Sequence, residues 1–408
     1  HNTNILEQNK IPVNDVSHLH HPILRHFFDG CNELNIKFNR NLNTNISNQI
    51  GHYNINTFKG IRHSSSKVFL KPIINNTRIK LMTNTKIKKL IIKNSKIIAV
   101  EVVTKGKDLK IQPNIGIILS SGSIMTPYIL MHSGIGDPRK IKSIDKDVVI
   151  KNSNVGKNLQ DHLGLDYLFK TFHPTLNTSL GTWPGRIKEI LKYFYNRKGA
   201  FALSLNQAGG YLNWNSKHKY PNLQIYFNPI TYSISHKNKR PLLKTDKFDG
   251  FIIGYNSCRP KSLGEISLKS PDNNDSPLIN PNFLSHEEDI HDVLCAVDFA
   301  KTLANTKSIT HIRKSTVNND LLNAKDHEML DHFKDNAVSV YHPCGTCRMS
   351  KNFNEGVVSK RLKVHGLDNL WIVDASVFPN ITSGNINATV MMLANLGSKL
   401  IIEDIKKM

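Results

Sequence analysis

The feature that most restricts the fold is a change of pattern near residue 115. Ile115 to Leu119 is a fully apolar strand-sized run, broken by Ser120-Ser121-Gly122-Ser123 and followed by a helix-forming stretch to about His132. A strand entering a small-residue turn and then a helix lets backbone approach a ligand closely at the strand's carboxyl end. Ser121 and Gly122 are the candidates for that contact. An ordinary strand–turn–helix packed for structural reasons fits the same residues, and the pattern alone does not separate the two.

The neighbouring elements define a mixed chain. Ile87 to Lys93, Lys96 to Val103 and Leu109 to Gln112 are β-branched runs separated by Asn94-Ser95 and Lys105-Gly106-Lys107, which predicts a three-stranded meander. Strands are also expected at Asn222 to Phe227, Phe251 to Tyr255, Leu263 to Leu268 and Leu370 to Val373. Helical spacing predicts helices over His21 to Leu34, Ile187 to Tyr195, His286 to Ala304 and Asn387 to Ile405.

A length of 408 residues exceeds one simple core and suits two intimately packed domains. The net charge of +22 raises nucleic acid or an anionic membrane as partners, but the lysines fall in small scattered groups such as Lys86 to Lys89 and Lys237 to Arg240, without interleaved aromatics. No nucleic-acid partner is expected. Five widely spread cysteines make no disulfide framework and point to a reducing, cytoplasmic setting, peripheral at the inner membrane at most. No apolar run approaches the ~20 residues that span a bilayer. His18, His20, His21 and His26, with Asp29 and Cys31 nearby, match no ligand pattern and read as solvated loop histidines, so no metal is expected. The chain starts at His1 without a charged-then-apolar leader, and we expect an upstream segment.

Two separated regions carry a family resemblance. Thr126-Pro127 through Gly134-Ile135-Gly136, then Val155-Gly156-Lys157-Asn158-Leu159-Gln160-Asp161-His162-Leu163, resemble the second signature of the glucose–methanol–choline (GMC) oxidoreductases and the segment after it. Tyr341-His342-Pro343-Cys344-Gly345-Thr346-Cys347-Arg348-Met349 resembles the family's active-site histidine segment. Asp374-Ala375-Ser376 and Ser383 to Thr389 resemble its closing flavin-binding run, and Arg259 to Gly264 with Pro277 to Phe283 the opening of its C-terminal region. The likeness covers nearly the whole chain and leans to the choline-dehydrogenase-like bacterial branch.

The resemblance implies an α/β (α+β) fold: an FAD-binding Rossmann-like domain, incomplete here, and a substrate domain with an antiparallel sheet flanked by helices. Residues 1–60 would belong to the substrate region, 61–165 and 336–408 to the FAD-binding domain, and 166–335 to the substrate domain. It implies FAD as cofactor and oxidation of a primary alcohol to an aldehyde, with electrons passed to a quinone or other acceptor. Oxidising an alcohol requires a base for the hydroxyl proton, and a histidine with an ordinary pKa near 6.5 suits that work. His342, between Tyr341 and the restricted Pro343, is the expected base, and Asn385 by resemblance orients the alcohol. Asn387, Ala388 and Thr389 open the last helix, whose N-terminus would favour negative charge at the flavin's N1–C2 edge, with Asn387 as a possible N-cap. By resemblance Asp374, with Ala375 beside it, would take a hydrogen bond from the ribityl chain, and Ile87 would offer backbone to the adenine.

Three departures qualify the likeness. The family opens with a strand, a GxGxxG turn and a helix for the pyrophosphate, and the best match here, Gly134-Ile135-Gly136, has Arg139 at its third position. The chain alone is therefore expected to bind FAD poorly. Choline-specific relatives place a glutamate where this chain has Gln207, which removes the counter-charge for a quaternary ammonium and predicts a neutral alcohol. Cys344-Gly345-Thr346-Cys347 lacks both a second ligand pair and a thioredoxin context, so it is read as a turn rather than a zinc or redox motif. Competing readings are an inactive remnant or basic non-enzymatic protein, a choline dehydrogenase, and an oxygen-using oxidase.

Overall fold

The computed structural model describes residues 10–44, 48–217, 219–235, 242–317 and 322–407, and the Lys237 to Arg240 group lies outside them. The chain divides into two compact units. One holds residues up to 81 with 164–257 and 291–338, and the other holds 82–163, 258–290 and 339–408.

The first unit is built on a mainly antiparallel sheet, whose edge strand Lys37–Phe38 runs parallel to Gln49–His52. Its strands lie in the order Lys37–Phe38, Gln49–His52, Ala208–Leu212, Leu223–Asn228, Gly250–Ser257, Leu163–Thr171 and Arg313–Thr316. Gly250–Ser257 is buried along nearly its whole length, as the run Phe251 to Tyr255 requires of a central strand. Phe169 faces Phe251 in register, and the Phe27, Phe227, Phe251 and Phe169 rings stack in sequence at 5.1–5.2 Å. Burying each of these rings contributes about 1.5–3 kcal/mol. Phe27 comes from the helix Leu24–Glu33, whose Leu24, Phe27 and Cys31 share one buried face at i, i+3 and i+7.

The histidines before that helix differ from expectation. His20 and His21 are half-buried rather than solvated, and His20 Nδ1 lies 2.8 Å from His52 Nδ1. Burial pushes His20 down to about 4, with His52 adding to the effect. Among the described residues no group of three or more His, Cys, Asp or Glu side chains is arranged to hold a metal ion.

In the second unit the meander forms over Thr85–Lys93, Lys96–Thr104 and Lys107–Ile111. Asn94 and Ser95 take positive φ values of 49° and 60°, the type I′ geometry that matches the twist of a hairpin. Ile117–Leu119 pairs in parallel with Leu370–Ile372, joining segments some 250 residues apart. Its apolar run is covered on one face only, with Ile118 52% exposed. Helix Gly122–His132 follows directly and is buried from Thr126 to His132. The long helix Asn387–Ile405 closes the chain.

Candidate active site

The site lies within the second unit and is assembled by three consecutive residues of one extended segment. Gln160 forms a two-way bridge with Cys344: its N–H donates to the Cys344 carbonyl at 3.0 Å and its carbonyl accepts from the Cys344 N–H at 2.9 Å. Asp161 accepts the His342 backbone N–H at 2.8 Å and the Ser339 hydroxyl. His162 contacts the His342 ring, Nδ1 to Nδ1 at 3.0 Å. Backbone and ring of His342 are thus both set by the 160–162 segment.

The protons on these two imidazoles follow from chemistry. His162 Nε2 lies 3.1 Å from the Cys258 carbonyl, which can only accept, so this nitrogen carries hydrogen. Burial, and secondarily His342, pushes His162 down to about 4, against the Cys258 and Thr382 carbonyls, and the ring is neutral near pH 7. Its Nδ1 therefore holds a lone pair and accepts from His342 Nδ1–H. His342 is left with its lone pair on Nε2, 3.0 Å from the Asn385 amide nitrogen. Burial lowers the His342 pKa from 6.5 as well. The result is an oriented neutral base beside a carboxamide (the amide nitrogen being assigned as donor because Nε2 can only accept).

The backbone before His342 is strained. Tyr341 has φ 63°, a left-handed conformation that costs a branched or bulky residue about 1–2 kcal/mol. Ser339 Oγ accepts the Tyr341 N–H at 2.9 Å and holds the turn. Gly345 is also left-handed, at φ 87°, and a Cβ there would lie 2.5 Å from the Asn158 carbonyl.

A second cluster forms where the parallel strand pair ends. Asp374 follows Leu370–Ile372 and its carboxylate accepts the Gly122 N–H at 2.9 Å, the Thr126 hydroxyl at 2.6 Å and the Ser376 N–H at 2.8 Å. Three of its roughly four acceptor positions are used. Residues 345–349 run beside 375–377, with Gly345 N–H donating to Ala375 at 3.1 Å and Cys347 N–H to Ser376 at 2.7 Å. Gly122 has φ 81° and open space where a Cβ would stand, at the carboxyl end of the strand.

The remaining predicted residues fall as follows. Asn387, Ala388 and Thr389 begin the last helix, but its N-cap is Ile386 and no side chain caps it, which corrects the reading of Asn387 as cap. Ile87 sits in the first meander strand opposite Val102. Gln207 belongs to the first unit, where it is buried and its side-chain oxygen accepts the His21 N–H at 2.8 Å. Cys344 and Cys347 are buried free thiols, and burial pushes Cys344 up to about 12. Sequence reasoning quoted Asp161 and His162 within a motif but gave them no role. The available signal was three adjacent polar residues ahead of a buried strand.

Comparison with known proteins agrees with this architecture. Two family models described as GMC oxidoreductase match residues 4–164 and 260–394. An "alcohol dehydrogenase [acceptor]" of Pseudomonas putida is 30% identical over 400 residues, covering 97% of this chain and 71% of the relative. The mitochondrial choline dehydrogenase of Mus musculus is 26% identical, covering 93% of this chain and 63% of its own length, and the oxygen-dependent choline dehydrogenase of Cronobacter sakazakii is 28% identical, covering 83% and 59%. The chain thus spans less than two thirds of these choline dehydrogenases. A formate oxidase structure superposes with TM-score 0.87 at 24% identity, covering 97% of this chain and 73% of that one. Pyridoxine 4-oxidase from Mesorbium loti gives 0.81 at 22%, covering 95% and 71%. At these identities the two structures speak to the fold. With both family models in place and a relative at this identity, the chain belongs to the GMC oxidoreductases, a family of FAD-dependent flavoproteins.

Proposed function

We propose that this protein oxidises a primary alcohol to an aldehyde with FAD, with His342 as general base and Asn385 as the orienting group. The observation that carries the reading is the placement of the His342 ring, with Nδ1 3.0 Å from His162 Nδ1 and Nε2 3.0 Å from the Asn385 amide nitrogen. A histidine lone pair there takes the hydroxyl proton while the carboxamide holds the oxygen in place.

The chain's residues fit the cofactor. Gly122 leaves open space at the carboxyl end of the parallel strand pair, and the uncapped N-terminus of Asn387–Ile405 offers free N–H donors. Ser121, Gly122, Asp374 and Ala375 would hold the flavin from the strand side, and Asn387, Ala388 and Thr389 would face its N1–C2 edge. Ile87 would lie toward the adenine. When bound, FAD supplies the hydride acceptor. Electrons then pass to a quinone or other carrier, in line with the acceptor-type name of the Pseudomonas relative. On this reading the second unit is the flavin domain and the first the substrate domain.

The substrate is a neutral alcohol in this proposal. Gln207 bears no charge, and its oxygen already serves the His21 N–H, so it offers nothing to a quaternary ammonium. The names of two relatives favour choline as the second reading. The test is anaerobic mixing of FAD-loaded protein with a series of primary alcohols and with choline. We expect alcohols to bleach the flavin, choline to do so far more slowly, and His342→Ala to abolish bleaching. Full bleaching by His342→Ala would overturn the assignment of the base, and faster bleaching by choline would overturn that of the substrate.

A further inference from the structure

The helix Trp183–Asn196 in the first unit turns its apolar face outward. Trp183, Ile187, Ile190, Leu191 and Phe194 recur at i, i+4, i+7, i+8 and i+11 on one face. They are 75, 53, 41, 50 and 67% exposed, and the adjoining Tyr195 is 83% exposed. The inward side carries Glu189, buried, which accepts the Ala200 N–H at 2.9 Å and pairs with Lys192 at 2.6 Å. Arg186 fastens the same helix by donating from Nε to the Leu180 carbonyl and from Nη2 to Thr245 Oγ1. Packing therefore fixes the orientation with the hydrophobic side toward solvent. A contiguous exposed apolar patch of this kind marks an interaction surface.

Charge identifies the surface it fits. At 100° per residue, Arg186 borders one edge of the apolar arc and the exposed Lys188 lies beyond the other, while Arg197 and the exposed Lys198 follow at the helix end. From Gly181 to Gly199 the sequence has five Lys and Arg and one carboxylate, the inward Glu189. Trp and Tyr on the outer face suit a boundary that is apolar on one side and wet on the other. Fourteen residues are too few to span a bilayer, and no helix among the described residues is long and apolar enough to cross one. A second copy of this chain is disfavoured as the occupant, because it would bring two basic rims together. We propose that this face docks on an anionic lipid surface, with the helix lying in the plane of the interface.

The test is flotation of the full chain with vesicles of phosphatidylcholine alone or mixed in equal parts with phosphatidylglycerol. We expect binding to the mixed vesicles, at least tenfold weaker for phosphatidylcholine alone, for raised salt, and for Ile190→Asp with Phe194→Asp. Lys188→Glu with Lys198→Glu should weaken binding without touching the apolar face. These side chains are exposed, so circular dichroism and thermal unfolding of all variants should match the parent. Absence of flotation, flotation insensitive to both pairs of substitutions, or a lipid-free dimer abolished by Phe194→Asp would each overturn the proposal.

Discussion

Replacing His162 tests the proton arrangement without touching the reacting groups. His162 is fully buried, with Nε2 on the Cys258 carbonyl and Nδ1 on His342 Nδ1. His162→Leu keeps an apolar side chain of similar bulk but removes the acceptor for His342 Nδ1–H. Leaving that buried donor unmatched costs about 1–3 kcal/mol, which the ring avoids by turning or by moving its proton to Nε2. If about 2 kcal/mol of base orientation is lost, flavin reduction by alcohol falls roughly thirtyfold. KM should hardly move, because His162 does not reach substrate. His162→Gln has both an amide donor for Cys258 and an oxygen acceptor for His342, and should recover most of the rate. Long-range proton–nitrogen correlation spectra of histidine-labelled protein read the tautomer directly and need no cofactor. Nε2–H on His342 in the parent protein, or a parental rate in His162→Leu, would refute the reasoning.

Further outcomes follow from the same geometry. Burial lowers the His342 pKa, so the protonated, inactive form accumulates only below 6.5, and the acid limb of the reduction rate should lie there. His162 titrates near 6.5 when unfolded and at about 4 when folded, so the unfolded state binds more protons between these values. Stability is then full above 6.5 and declines as pH falls toward 4, by about 3 kcal/mol for this group, which denaturant titrations across that window would detect. Gly345→Ala should cost about 1–2 kcal/mol for the left-handed backbone and about 1–3 kcal/mol more for the clash with Asn158, whereas Gly122→Ala, with open space, should cost only the backbone part. Equal losses in thermal unfolding would contradict this. Asp374→Asn leaves at least one of the Gly122, Thr126 and Ser376 donors without its acceptor, and should destabilise the second unit by about 1–3 kcal/mol.

What the sequence disclosed depended on how far each signal reaches along the chain. The meander, the strand leading to Gly122 and the helix Asn387–Ile405 were legible because period and turn chemistry are local. The meeting of His342 with Asn385 was legible only through the family likeness, since nothing in the intervening 42 residues encodes it. His162 was passed over because its role depends on the antiparallel bridge between Gln160 and Cys344, a contact across 184 positions. The stretch around Ile187 was readable as a helix, but a period does not reveal which way an apolar face points. Glu189 and Arg186, anchored to Ala200, Leu180 and Thr245, decide that.

The setting of the proposed base is therefore a product of strand register more than of local sequence. In extended backbone, successive side chains alternate between faces, so a slip of one residue would put Asp161 opposite Cys344 and turn His162 away from His342. Two backbone hydrogen bonds between Gln160 and Cys344 oppose such a slip. The Gln160 side chain opposes it again, donating to the Pro260 carbonyl at 3.2 Å and accepting the Ile381 N–H at 3.0 Å. Ile381 is four residues before Asn385, so the same glutamine anchors the chain that delivers the carboxamide. Its neighbour Asp161 anchors the chain that delivers the imidazole. Base and carboxamide come from segments far apart in sequence, yet both refer to one short stretch of backbone, and that common reference holds their separation fixed.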